Sequence, residues 1–168
     1  MTLTELIKTS AAQLTEAGVA FGHGTNNAHD EASWLVLWRL GLPLESVLIG
    51  DNSIGDQDIN LQAQADVQEL IQARINTRQP AAYLTHEAWL QGVPFYVDER
   101  VIVPRSLIAE LLTNGAIDYW LTESTHRVLD LCTGNGSLAI LAAMVYPDVV
   151  VTGADLSADA LAVAHINV

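Results

Sequence analysis

The chain has 168 residues, with 7 Lys plus Arg against 20 Asp plus Glu, a formal net charge of −13. Half the residues are apolar and only 16% are charged, which excludes a disordered chain, and a single cysteine excludes a disulfide scaffold. So acidic a surface argues against direct binding of nucleic acid, which attracts Lys and Arg.

No apolar run approaches the roughly 18–20 residues that cross a bilayer. The first twenty residues lack the basic start and apolar centre of a signal peptide. A cytoplasmic protein with no membrane association is therefore expected. The length suits one large domain or two small ones.

Residues 1–80 read as a helical domain. Thr2 with Glu5 three residues on forms a capping-box pattern. Leu3, Leu6, Ile7, Leu14 and Ala17 then share one face, and Gly18 is a stop. Asn27 caps a second helix, with Asp30 and Glu31 in its positive first turn. That helix presents Ala32, Leu35, Val36 and Leu40 and stops at Gly41. Asp56 is expected to start a third helix, in which Ile59, Val67, Leu70, Ile71 and Ile75 share a face, ending before Pro80. Trp34 and Trp38, one turn apart, read as packing residues; Arg74 and Arg78 read as solvated or paired with nearby acids.

Residues 81–104 read as a β-hairpin linker. Residues 89–90 and 93–97 form the arms, with Gly92 in the turn. Residues 101–103 are expected to form a short strand closed by Pro104. From 105 to 168 the rhythm becomes α/β. Ser106 caps a helix carrying Leu107, Ile108, Leu111 and Leu112. A buried strand at 127–132, a turn at 133–136 and a helix at 137–146 follow; then come a second buried strand at 149–154 and a helix capped by Ser157. The fold class is thus α/β: a helical domain, a hairpin linker and the start of a doubly wound, Rossmann-like sheet. Two parallel strands leave an open edge and an unfilled face. The chain is therefore expected to be part of a longer one, or to be completed by a partner, with self-association through the open edge.

The chemistry points to residues 128–139, Val-Leu-Asp-Leu-Cys-Thr-Gly-Asn-Gly-Ser-Leu-Ala. This stretch follows a strand and opens a helix, the context of a nucleotide-binding glycine turn. Gly134 can adopt a conformation closed to other residues, and Gly136 lets backbone approach a ligand. Asp155, at the end of the next strand, is placed to accept hydrogen bonds from ribose hydroxyls. Gly134-x-Gly136-x-x-Ala139 fits the dinucleotide pattern of an NADP-dependent oxidoreductase. It equally fits S-adenosylmethionine. Electrostatic sign decides between them. From Val128 to Val168 there is no Lys or Arg, and Asp130 faces the same turn. A carboxylate there repels a diphosphate and favours the ammonium and sulfonium of a methyl donor.

Cys132 reads as a small residue in a buried turn, since no activating His lies near it in sequence. His23, His29, His86, His126 and His165 show no metal-ligand spacing, so no metal site is expected.

Asp130-x-Cys132-x-Gly134-x-Gly136 resembles motif I of the class I S-adenosylmethionine-dependent methyltransferases, with Cys132 where a glycine is usual. Phe-Tyr-Val-Asp-Glu-Arg-Val-Ile-Val-Pro-Arg-Ser at 95–106 resembles the segment before the catalytic domain in the HemK/PrmC/PrmB family of protein-glutamine methyltransferases. Gly-His-Gly-Thr-Asn-Asn at 22–27 and Arg-Gln-Pro-Ala-Ala-Tyr-Leu-Thr at 78–85 are similar to the PrmB branch, and Cys132 fits that branch too. The resemblance implies methyl transfer from S-adenosyl-L-methionine to a glutamine amide nitrogen of the third large-subunit ribosomal protein, a basic partner. The alternatives are a release factor as substrate, or a non-catalytic ribosomal-protein-binding module. It also implies that Asp130 meets the methionine end, that residues 132–136 (Cys132, Thr133, Gly134, Asn135, Gly136) line the cofactor, that Asp155 holds the ribose and that Leu156 packs on the adenine. Arg105, before a helix that reaches across the cofactor in such domains, joins the pocket. The amide itself is held in this family by an Asn-Pro-Pro-Tyr loop, which this sequence lacks. No catalytic residue is therefore assigned, and the 168-residue chain is expected to be inactive alone.

Overall fold

Thr2 Oγ1 accepts the Glu5 N–H at 3.3 Å while the Glu5 carboxylate accepts the Thr2 N–H at 2.9 Å. This reciprocal cap starts α1 (Leu3–Glu16). The computed structural model that shows it describes residues 1–50 and 53–168. The chain forms two units, Met1–Thr85 and His86–Val168.

In the first unit, α1 packs on α2 (Ala28–Arg39), whose cap Asn27 accepts the Asp30 N–H at 2.9 Å. Leu3, Ile7 and Leu14 of α1 meet Leu35 and Val36 of α2 in a fully buried core. Thr2→Ala removes one half of the first cap and is expected to cost about 1 kcal/mol. Thermal melts of the chain check this.

The third helix departs from expectation. α3 (Leu61–Thr77) is capped by Asn60, whose Oδ1 accepts the Ala63 N–H at 2.9 Å, and not by Asp56. The reason lies at the start of α1. The Leu3 and Thr4 N–H groups, left without partners inside their own helix, donate to Gln57 and Gly55 carbonyls at 2.9 Å each. Thr2 also bridges Asp58, and the Ile59 N–H donates to Met1 O. Residues 55–59 are thus held out of a helix by the helix end they satisfy. Ile59 is buried from that segment, while Val67 and Ile71 are buried from α3 itself.

Arg74 is paired, but inside the unit. Its Nε donates to Glu31 Oε1 at 2.8 Å and its Nη2 to Ala20 O at 2.8 Å, while Glu31 Oε2 accepts the Thr25 hydroxyl at 2.9 Å. Both charged side chains are almost wholly buried. The short α4 (Ala81–Thr85) closes the unit after Pro80.

The second unit opens with an antiparallel hairpin, β1 (Glu87–Leu90) and β2 (Val93–Tyr96). Its two-residue turn has positive φ at both Gln91 (51°) and Gly92 (75°), the geometry that matches strand twist. Residues 101–103 form no strand. The Asp98 carboxylate accepts the Arg100 N–H and guanidinium, and the Val101 N–H closes onto Asp98 O at 3.1 Å. That tight turn draws the chain away from a ladder. The same guanidinium holds the Asp98 carboxyl well below the usual carboxylate range.

Ser106 caps α5 (Leu107–Thr113) through the Ile108 N–H at 3.1 Å. After a 3-10 turn (Asp118–Trp120) come β3 (Arg127–Leu131), α6 (Ser137–Val145), β4 (Val150–Ala154) and α7 (Ala158–Asn167). β3 and β4 pair in parallel, Asp130 opposite Gly153. This is the α/β start the sequence pattern describes. The strands are not buried as expected, however. Leu129 is 61%, Leu131 72% and Val150 63% exposed. α6 packs against both strands and can cover one face of a pleated pair, so alternate residues face outward. Among the described residues, no helix is long and apolar enough to cross a membrane.

Candidate functional site

The site forms at the carboxyl ends of β3 and β4, where open α/β sheets bind ligands. The Thr133 N–H continues the ladder to Ala154 O at 3.0 Å, and the Gly136 N–H then closes a turn on Thr133 O at 2.9 Å. Thr133 is buried because Gly153 beneath it has no side chain. A Cβ there would lie 2.9 Å from the Thr133 hydroxyl. Gly136 starts α6 with φ of 81°, and a Cβ on it would meet the Ala164 Cβ of α7 at 3.3 Å. Gly134, also left-handed, faces open space on the side where a side chain would stand.

Two carboxylates meet this turn. Asp130 Oδ2 accepts the Thr133 hydroxyl at 2.6 Å. Asp155 Oδ2 accepts the Gly134 N–H and Oδ1 the Ser157 N–H, both at 2.9 Å. The Ser157 N–H, and after it the Gly134 N–H, hold the Asp155 carboxyl below the usual range, so it is an anion at neutral pH. The positive end of α6, worth about half a charge, favours a phosphate by itself. The two carboxylates on the same turn oppose it. Leu156 stands fully exposed beside Asp155.

Cys132 is exposed and sits in the left-handed region at φ of 62°. That conformation explains why a glycine is usual there: a side chain costs roughly 1–2 kcal/mol in it. Cys132→Gly is expected to stabilise the chain by about 0.5–1 kcal/mol after the flexibility of glycine is counted, as read from denaturant midpoints.

The expected site residues Asp130, Thr133, Gly134, Asn135, Gly136 and Asp155 thus gather in one turn and its two flanks, with Cys132 and Leu156 as the adjoining exposed positions. Arg105 lies exposed two residues ahead of α5. Asn135 is 3% exposed, its Oδ1 accepts the Ser137 N–H, and its Nδ2 is buried with no partner among the described residues. Sequence reading missed Asn167 at the end of α7. It donates to Asn135 O at 2.9 Å and to Tyr96 O at 3.1 Å, and accepts the Tyr96 N–H at 2.7 Å. Nothing in the local pattern could have signalled contacts 32 and 71 residues away.

A larger cleft of about 540 Å³, lined by Asp118, Glu123, His126, Tyr146 and Asp148 among others, lies at the opposite, amino ends of the strands. The glycine turn lies at the carboxyl ends, with Asp130 and Asp155 beside it. Among the described residues, no group of three or more His, Cys, Asp or Glu is placed to hold a metal ion.

No family model matches the chain. Over 99% of its length it is 49% identical to a ribosomal protein uL3 glutamine methyltransferase of Burkholderia pseudomallei (strain K96243), covering 53% of that protein. It is 46% identical to the enzyme of the same name in Neisseria meningitidis serogroup B, covering 54%, and 47% identical to that of Bordetella pertussis, covering 55%. The chain spans about half the length of the curated relatives it matches.

Proposed function

We propose that the chain carries the cofactor turn and the substrate-recognition unit of a protein-glutamine methyltransferase that uses S-adenosylmethionine and acts on the ribosomal protein uL3. One observation carries the reading: two carboxylates, Asp130 and Asp155, bind the same glycine turn, in a stretch from 128 to 168 without Lys or Arg. The relatives' shared name supports the reaction class and the substrate.

The residues fit the cofactor. The space above Gly134 is open, and Leu156 offers an exposed apolar face beside an ionised carboxylate. When bound, S-adenosylmethionine supplies an electrophilic methyl group. Asp155 has lone pairs to spare for ribose hydroxyls while holding the Gly134 N–H. Asp130 directs negative potential at the cationic methionine end, and the Thr133 hydroxyl fixes its orientation. Cys132, Asn135 and Gly136 shape the wall, Leu156 packs on the adenine and Arg105 closes the pocket from the α5 side. Residues 1–80 carry ten acidic side chains against four Lys and Arg, a surface that attracts a basic ribosomal protein. The sequence has no Asn-Pro-Pro-Tyr. With no such loop to hold the target amide, the chain is expected to bind without turning over.

Calorimetric titration with S-adenosylhomocysteine and with NADP, in parallel, tests the reading. Binding of the first and not the second is expected. Preference for NADP overturns it. Capture of purified uL3 over a release factor by the immobilised chain tests the substrate.

A further inference from the structure

We propose that Asn167 is a positioning residue that locks the cofactor turn to the end of the hairpin. The inference rests on the proposed cofactor reading for its functional consequence, and on hydrogen-bond geometry alone for the coupling. The Asn167 carboxamide has two N–H donors and one acceptor oxygen, and all three functions are used on backbone. The donors go to Tyr96 O and Asn135 O, and the oxygen takes the Tyr96 N–H. The Val97 N–H pairs with His86 O within the hairpin, so the neighbouring Tyr96 turns its own N–H and carbonyl outward from β1. The side-chain amide of Asn167 occupies the place of a third strand there, meeting both groups at once.

Tyr96 is a firm anchor. Its ring stacks on His86 with centroids 5.4 Å apart and planes at 13°, and its hydroxyl donates to Asp98 at 3.0 Å. Asp98 in turn is clamped by Arg100. Through Asn167 that anchor reaches the carbonyl of Asn135, the residue between the two glycines. The turn is then held at both ends: Asp155 takes the Gly134 N–H and Asn167 fixes the Asn135 carbonyl. A turn with two glycines has many accessible backbone states. Pinning it selects the one that binds, so its ordering cost is met in folding rather than on ligand binding.

The consequence is a mechanical link between the segment at 95–106 and the cofactor turn. Movement of one displaces the other.

Two variants of the 168-residue chain test this. Asn167→Ala removes all three bonds. By nuclear magnetic resonance without ligand, the Tyr96 amide is expected to exchange roughly tenfold faster or more, with the Gly134, Asn135 and Gly136 amide resonances displaced. Affinity for S-adenosylhomocysteine is expected to fall roughly tenfold. Asn167→Asp keeps the acceptor for the Tyr96 N–H but sets a carboxylate against two carbonyl oxygens, which raises its pKa. Its affinity should be weak at pH 7.5 and recover in part toward pH 5.5 as protonation restores one donor. The unmodified chain should show no such recovery. A general loss of stability would not produce that pH profile.

Unchanged exchange at Tyr96 and unmoved turn resonances in Asn167→Ala overturn the inference, whatever the chain binds. If that variant does not fold, a folded Asn167→Asp with undiminished, pH-independent affinity overturns it instead. Altered exchange in a chain that fails to bind S-adenosylhomocysteine even unmodified sinks the cofactor reading and leaves the coupling standing.

Discussion

Arg74→Met is expected to lower the stability of the helical unit by about 3–5 kcal/mol, because it strands Glu31 as an uncompensated buried charge. For a unit of this size that corresponds to a midpoint lower by on the order of 15–30 °C. The pair lies 2.8 Å apart between α2 and α3, with 3% and 2% of the side chains exposed. Water cannot reach in to solvate the survivor. A double variant, Glu31→Leu with Arg74→Met, should recover much of the loss, since an apolar pair of similar volume replaces a buried ion pair at little net cost. Recovery should be incomplete, because Ala20 O and the Thr25 hydroxyl both lose partners. Calorimetric melts of the two variants distinguish these outcomes. Equal destabilisation in both would show that packing, not charge, holds the two helices. The pair also ties down the loop at 22–25, which the Gly22 N–H closes on Thr25 O at 2.8 Å.

Asp155→Asn is expected to weaken binding of S-adenosylhomocysteine roughly a hundredfold, read by calorimetry. Each carboxylate oxygen accepts a backbone N–H, one from the turn and one from the start of α7. An amide in its place turns an NH2 toward one of those N–H groups, so one bond becomes a repulsion. The carboxylate lone pairs proposed to accept the ribose hydroxyls are lost as well. An affinity within threefold of the unmodified chain would remove Asp155 from the site. The pH dependence follows from the direction of its shift. Its carboxyl titrates lower in the folded chain than in the unfolded one. Its contribution to stability is therefore fully present above the unfolded pKa of about 3.9 and is lost only as pH falls through the lower folded value. In Asp155→Asn, that part of the acid-induced loss should be missing from melts below pH 4.

Where a helix begins was legible at Thr2, Asn27, Ser106 and Ser157. Each cap is satisfied within three residues, so the physics that selects it is contained in the local sequence. It failed at Asp56 because the competing demand came from the first turn of α1, over fifty residues away. The glycine turn and its acidic flanks were legible for a related reason. Strand, turn and helix follow one another without interruption, and Asp155 returns to Gly134 after a single βα crossover.

Side-chain burial was less legible. A short strand such as 127–132, with Val128, Leu129 and Leu131, reads as buried, yet burial depends on what covers each face, and α6 packs against the pair. The sequence alone determined the order of the main helices and paired strands, the acidic balance and the glycine turn with its acidic flanks, all set by propensity, capping and charge sign over a few residues; it placed a strand at 101–103 that does not form and no helix at 81–85, where α4 stands. Only the tertiary structure decided that Glu31 and Arg74 bury each other and that Asn167 joins the turn to the hairpin. Those partners are 43 and 71 residues apart, and a polar side chain shows the same local pattern whether water or a distant backbone group satisfies it.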